Sequence, residues 1–558
     1  MTFLKWLAAD PERYLVVSAV PLFAYAAIAV AGTWSQRANT WLGTRKGIAL
    51  ILALAGVVLL AARWPTLFVR DPLNQDEAQA LAQAITALRD AIPWRGFDPN
   101  TCGPLNTYVL MLPAALGLHL TFLTTRVIAL LLEWGAIASL YICAALCFEA
   151  SLARVALVAP LAFFALVRED HFVHYSGEHL SIFLGMLALA LLCGAHRRGL
   201  RAASLFSAGV PIGMMPFAKL QSLPLAASTA FVALAIIVVR GQPGARATLR
   251  RLAAFAAGIV AVPVAIVGMT AAGGALRDFW ISYVQTSLAY ILYEDQPVGF
   301  LTGTPEFGPL FDVLLAFSAI GLIVLVWRYR TISPLQRGAC AASLVVLIGA
   351  VWTVFAPKRG SLNYLLFAVM PASAAAAAGI GVALSALSEH ASRLLPAVRA
   401  GIGMIVVLVV LGAMSAFDRP AYPYLGSVAN YFDGSPDAVT QLIAAHVSPG
   451  ERIAIWGWRP KYYVTTYTVM GTRDAITQYQ YSPNFNPYRN YFRSRYVNDM
   501  LTNKPVAFLD AGSDSFDFEG KGRFGYESFP ELAEIVDRDY RLAGEANGIR
   551  LFLRHSRS

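Results

Sequence analysis

About twelve apolar stretches, each near the ~20 residues that a bilayer core requires, recur along this chain of 558 residues. Hydrocarbon offers no partner to an unpaired backbone group, and these runs lack the two-residue alternation of a barrel strand, so each is expected to be a helix. The candidates are 14–33, 47–65, 126–147, 152–168, 178–194, 203–219, 221–240, 252–271, 307–328, 338–356, 361–385 and 400–418. Hydrophobic residues make up 57% of the chain and charged residues 14%, which places most of it in lipid. The expected fold is mainly α: a polytopic membrane helical bundle with a C-terminal extracytoplasmic α/β domain.

The formal net charge of +10 belongs to this topology and calls for no nucleic-acid partner. Basic residues gather in short loops: Arg37, Arg45 and Lys46; Arg197, Arg198 and Arg201; Arg240, Arg246, Arg250 and Arg251; Arg328, Arg330 and Arg337; Arg393 and Arg399. Short basic loops face the cytoplasm. Placing them there puts the N-terminus, the 66–125, 169–177 and 272–306 loops and the tail outside, provided that 105–120 lies on the outer surface without crossing. Asp10 and Glu12 spoil a basic leader, so the N-terminus is expected to remain as a span despite Ala29-Val-Ala31.

Two modules result, a membrane domain over 1–418 and a soluble outer domain over 419–558. In the latter, Arg452–Trp458, Pro505–Asp510 and Ile549–Arg554 read as strands, and 436–447, 493–503 and 529–538 as helices. No glycine-rich phosphate loop follows the first strand, which argues against a nucleotide domain. Cys143, Cys147, Cys193 and Cys340 lie in apolar runs and Cys102 outside them, with no CxxC pair.

Chemistry is expected at the outer turns. Asp71-Pro-Leu-Asn-Gln-Asp-Glu77 follows an apolar run directly, and carboxylates at the lip of a membrane helix are costly to hold there. Asp76 and Glu77 are adjacent, so on a helix they point about 100° apart: one would work while the other holds a neighbour or caps the helix. The next outer turn holds Glu169, Asp170, His171, His174 and Glu178, read first as a polar cleft wall, then as positioning residues, and last as a metal site. Lys219 stands between two apolar runs and flanking prolines, where an ammonium suits a lipid phosphate. Lys358 and Arg359, in another tight outer turn ahead of Asn363 and Tyr364, would complete a phosphate clamp. Tyr283, Tyr290 and Tyr293, with Glu294 and Asp295, offer either a sugar- or lipid-binding surface or an aromatic interface belt. Trp456, Trp458, Tyr462 and Tyr463 of the tail suit sugar stacking, a domain core or a seat on the membrane equally.

In their order and common outward placement these motifs resemble the GT-C membrane glycosyltransferases, specifically the relatives of protein O-mannosyltransferases and of the lipid A aminoarabinose transferase. The resemblance spans roughly 45–385 and rests on Asp76-Glu77, Gly103–Tyr108, Glu169-Asp170, Phe217-Ala-Lys219 and Arg359–Leu366. It implies inverting transfer of a sugar from a polyprenyl-phosphate donor to a glycan, glycolipid or protein acceptor at the outer face of a bacterial cytoplasmic membrane. The catalytic candidates are then Asp76, Glu77 and Asp170, with Asp76 as general base; the donor phosphate would meet Lys219, Lys358 and Arg359. Asp71, Glu169, His171, His174, Glu178, Tyr293 and Tyr364 are candidates for substrate contact. No cofactor is required, and the need for a divalent metal is left open. The competing classes are a lipid-linked sugar transporter or flippase and a non-catalytic polysaccharide-assembly protein.

Overall fold

A computed structural model of the chain describes residues 2–148, 150–167, 169–239, 244–292, 333–357, 361–390, 424–481, 487–512 and 525–555, with scattered positions between 319 and 330. Among them, eight helices are long and apolar enough to cross a membrane: Pro11–Ala31, Arg45–Leu67, Phe122–Cys147, Gly177–Arg197, Leu220–Val239, Ala245–Ala272, Pro334–Phe355 and Leu362–Val382. Shorter apolar helices cover Ala150–Leu166 and Ala202–Ala218. Ten of the twelve expected stretches are therefore helical, while 307–328 and 400–418 lie almost wholly outside the described residues, as does the 418/419 boundary. Residues 104–115 form two helices, Pro104–Leu110 and Leu112–Ala115. At 1.5 Å per residue neither approaches the ~30 Å of a hydrocarbon core.

Buried charge fixes the spans against one another. Arg63 donates to the carbonyls of Phe164 (2.8 Å) and Val173 (3.1 Å) and lies 3.8 Å from Glu133. Glu133 is 3.1 Å from His179 Nε2, so three spans meet at one polar point. At the tail-side end Arg126 performs the same task for the first loop. Its Nε and Nη2 take both oxygens of Glu77 (3.0 and 2.8 Å), and its remaining N–H groups reach the carbonyls of Thr66, Val69 and Asp71. Glu77 also accepts the Leu73 N–H at 3.1 Å and is fully buried. The turn that leaves the Arg45–Leu67 helix is thereby tied to the start of the Gln75–Ala87 helix.

That helix begins where the sequence places a cap. Asn74 is extended and its side chain accepts the Asp76 N–H at 3.0 Å, and Asp76 and Glu77 sit in the first turn, where the helix dipole favours negative charge. A second strap joins the loop to the lysine turn: Gly103 N–H donates to Ala218 at 2.8 Å, and Cys102 pairs with Lys219 in an antiparallel bridge. A Cβ on Gly103 would lie 1.8 Å from the Phe217 carbonyl oxygen, so only glycine permits this approach.

The tail is an α/β domain around a five-stranded sheet, β1 (Arg452–Trp456), β2 (Val469–Met470), β3 (Ala507–Asp510), β4 (Tyr540–Ala546) and β5 (Ile549–Arg554), in the order β2-β1-β3-β5-β4. β1 is parallel to β2 and β3, while β5 runs antiparallel to β3 and β4. Helices Ala438–Ala444, Arg489–Asn503 and Pro530–Asp539 complete it, close to the expected positions. Trp456, Tyr462 and Tyr463 are core residues, not a stacking surface. The domain docks through a buried charge cluster: Arg495 bridges Asp474 and Asp98 (2.6 Å to the latter), and Ser282 donates to Asp98 at 2.5 Å. Beside it, Arg473 takes Asp499 in a two-toothed pair and donates to the Trp94 carbonyl at 2.9 Å. Burial pushes Asp474 up to about 7 against the pull of Arg495, because one guanidinium serves two carboxylates.

Adjacent acids with unlike surroundings should respond unlike. Glu77→Ala leaves the Arg126 guanidinium buried without its counter-charge and should destabilise by about 3–5 kcal/mol. Asp76→Ala, at an exposed helix start, should cost no more than about 1 kcal/mol. Thermal unfolding of both variants in one detergent decides this; equal losses would refute the distinction.

Candidate active site

A cavity of about 690 Å³ opens where the ends of the spans meet the tail domain. Its first wall is one face of the Gln75–Ala87 helix, since Asp76, Gln79, Ala80 and Gln83 recur at helical spacing and all line it. Asp76 is exposed within this cavity, and among the described residues no hydrogen bond or ion pair reaches its carboxylate. It is an available acid–base group held on a rigid helix.

Lys219 lines the same cavity, at the end of the Ala202–Ala218 helix and just before the Leu220–Val239 span. Pro216 and the strap from Gly103 shape this turn, and the side chain is almost wholly buried. Its ammonium pairs with Glu178 and sits 5.0 Å above the Tyr364 ring. Asn363 Nδ2 donates to the same Glu178 oxygen at 2.9 Å. Burial works against the Lys219 charge, but the Glu178 carboxylate outweighs it and raises the pKa above the ordinary lysine value. Lys219 therefore stays charged, as a donor facing the cavity. Cys102 adjoins it on the same wall; burial pushes that thiol up to about 12, so it is not a ready nucleophile.

The second acidic turn contributes less than its composition suggests. His171 lines the cavity, but Asp170 does not; it accepts a hydrogen bond from Tyr424 of the tail side. Burial and the adjacent Glu169 carboxylate raise the Asp170 pKa. Glu169 stands at the start of the short Asp170–Val173 turn without a side-chain capping bond. His174 is buried with Nδ1 2.8 Å from the Asp170 carbonyl, and burial lowers its pKa, leaving the ring neutral. Among the described residues no three His, Cys, Asp or Glu converge as a metal site.

Of the sequence-predicted residues, the cavity brings together Asp76, Lys219, His171 and Tyr364, with Glu178 behind Lys219. Glu77 is separated from them by its commitment to Arg126, and Asp71 pairs at 3.0 Å with Lys461 of the tail, an interdomain contact. Lys358, Arg359 and Tyr293 lie outside the described residues. Gln75, Gln79, Gln83, Asn100 and Tyr479 also line the cavity and Asn363 is a Glu178 partner; of these only the glutamines carry a signal in the sequence, the i, i+4, i+8 spacing of a polar helix face. Trp458, considered for sugar stacking, does line the cavity.

No protein-family model and no curated protein matches the chain. Among solved structures, it is similar to ArnT from Cupriavidus metallidurans in the apo state, with 13% identity over 91% of this chain and 98% of that one and a TM-score of 0.51. It is also similar, at a TM-score of 0.42 in each case, to two structures of an Archaeoglobus fulgidus oligosaccharyltransferase. One, with Zn and sulfate, gives 14% identity over 82% of this chain and 67% of that one. The other, AglB with an inhibitory peptide and a dolichol-phosphate, gives 14% over 83% and 69%. The fold assignment rests on the ArnT match, which extends over nearly all of both chains: this protein has a membrane fold of the GT-C type.

Proposed function

We propose that the chain is a glycosyltransferase that moves a sugar from a polyprenyl-phosphate donor to an acceptor hydroxyl, with inversion. The observation that supports this most directly is a single cavity, at the tail-side ends of the spans, lined by a carboxylate without a partner among the described residues and by a charged lysine. Asp76 takes the proton of the acceptor hydroxyl as its oxygen attacks the anomeric carbon. The anomeric C–O bond to phosphate breaks on the opposite side, and the polyprenyl phosphate departs with the bonding pair. Lys219 donates to that phosphate, so its charge is met where it develops. Glu178 and Asn363 hold the ammonium in place. Lys358 and Arg359, just ahead of Asn363 in the sequence, are assigned a supporting role at the phosphate; His171 orients the acceptor side, and Asp170 holds the turn that bears His171 against Tyr424.

The reading fits the membrane edge. Lys219, Asp76, Gly177 and Leu362 all stand at the same ends of their helices as the tail, so a lipid-borne phosphate reaches the cavity while its chain stays in hydrocarbon. Arg45, Lys46, Arg197, Arg198, Arg250 and Arg251 mark the other ends, which the charge rule assigns to the cytoplasm. The cavity and tail then face the periplasm of a bacterial inner membrane, where the acceptor is a glycan, a glycolipid or a protein.

Two variants separate the roles. Asp76→Asn keeps the shape and removes the base, so turnover of a polyprenyl-phosphate sugar should fall about 10²–10⁴-fold with donor affinity nearly unchanged. Lys219→Met alone would strand Glu178, so Lys219→Met is combined with Glu178→Gln; this double variant should weaken donor binding and slow turnover together. Radiolabelled donor binding and single-turnover transfer in nanodiscs measure both, and full transfer by Asp76→Asn would remove it as the base.

A further inference from the structure

Part of the cavity is not used by this mechanism. Asn100 lines it at 2% exposure, yet neither Oδ1 nor Nδ2 has a hydrogen-bond partner among the described residues. Its backbone is left-handed, φ 54°, a conformation that asparagine tolerates better than most residues. The main chain there is pinned, because Asn100 N–H donates to Asp98 at 2.8 Å and Asp98 is clamped by Arg495 and Ser282. The amide is thus presented on a rigid base at the docking seam. Gln79, largely buried, and Gln75, whose Oε1 is likewise buried without a partner, face the same space from the helix wall. Trp458 and Tyr479 of the tail supply aromatic surface on another side.

Resting on the transferase reading, we infer that Asn100, Gln79 and Gln75 form a subsite for the hydroxyl groups of a neutral sugar ring, roofed by the Trp458 and Tyr479 side chains. Each amide has both a donor and an acceptor end, the pattern that neighbouring sugar hydroxyls complement. Buried polar atoms without partners disfavour a ligand that cannot satisfy them, so the subsite discriminates through hydrogen bonds. The three amides carry no charge, and of the charged residues that line the same cavity Asp76 and Lys219 are taken by the transfer chemistry while Arg459 already has a partner, so the subsite's own contacts are with hydroxyl groups. The tail domain therefore takes part in specificity: it brings two of the ring contacts, and its Arg495 holds the loop that bears Asn100.

The test compares binding of a short-chain prenyl phosphate bearing a neutral hexose with that of the bare prenyl phosphate, in full-length protein. Asn100→Gly keeps the left-handed backbone and removes the amide, and Gln79→Leu removes the second amide at similar size. Wild type should bind the hexosylated form at least about tenfold more tightly, and each variant should lose most of that preference with bare prenyl-phosphate binding retained. Preference undiminished in both variants would overturn the subsite. A second measurement, saturation-transfer NMR with neutral methyl hexosides, methyl glucuronide and methyl glucosaminide, covers variants that fold poorly. Preference of the wild type for the neutral glycosides supports the subsite, and preference for a charged one overturns it. Wild type that binds no prenyl phosphate defeats the donor reading, and the methyl glycosides then decide the subsite by the same criterion.

Discussion

The site depends on one guanidinium. Arg126, buried in the first turns of a membrane span, donates to Glu77 and to three carbonyls of the loop that leaves the preceding span. An arginine in that position would be costly unless all its donors were engaged, and here they are. The effect is geometric as well as energetic. By engaging Glu77, Arg126 sets the rotation of the Gln75–Ala87 helix, and the 100° step between neighbours then turns Asp76 toward the cavity. Two adjacent acids receive different duties because, among the described residues, only Glu77 has a cation.

The lysine turn follows a similar logic with a different balance. Lys219 cannot remain charged in a buried turn without compensation, and Glu178 provides it. The pair is close to neutral as a unit, yet an ammonium has three donors and a carboxylate removes only one. A lysine so held can meet an arriving phosphate without prior reorganisation, which is the condition for electrostatic stabilisation of a departing group. The tail closes the arrangement, since its charge cluster with Asp98 and Asp278 joins the first loop and the 272–292 segment to a single docking face.

Much of this was legible in the sequence, because a membrane writes its constraints as long apolar runs. The spans, the absence of a long helix in the described 105–120 segment, the tail strands and the placement of Asp76 and Lys219 at turns beside the spans all follow from length, hydropathy and charge. What was not legible is pairing across distance. Nothing near Glu77 marks Arg126 as its partner 49 residues on, and nothing near Asp71 marks Lys461. The acidic turn at 169–178 looked richer than it is, since composition does not tell an exposed carboxylate from one that Tyr424 covers. Asn100 shows the same limit: its importance arises from burial, a left-handed backbone and a clamp built by Arg495, none of them local features. The glutamine face was visible as spacing, but a helix-forming run has that spacing for many reasons.

The central claim is that Asp76 performs transfer chemistry in this chain. Mass spectrometry of envelope glycans and glycolipids, from a deletion strain complemented with wild type or Asp76→Asn at matched membrane levels, tests it most directly. The account predicts a sugar mass that disappears on deletion, returns with wild type and does not return with Asp76→Asn. Full restoration by Asp76→Asn, or no sugar mass lost on deletion, would contradict it.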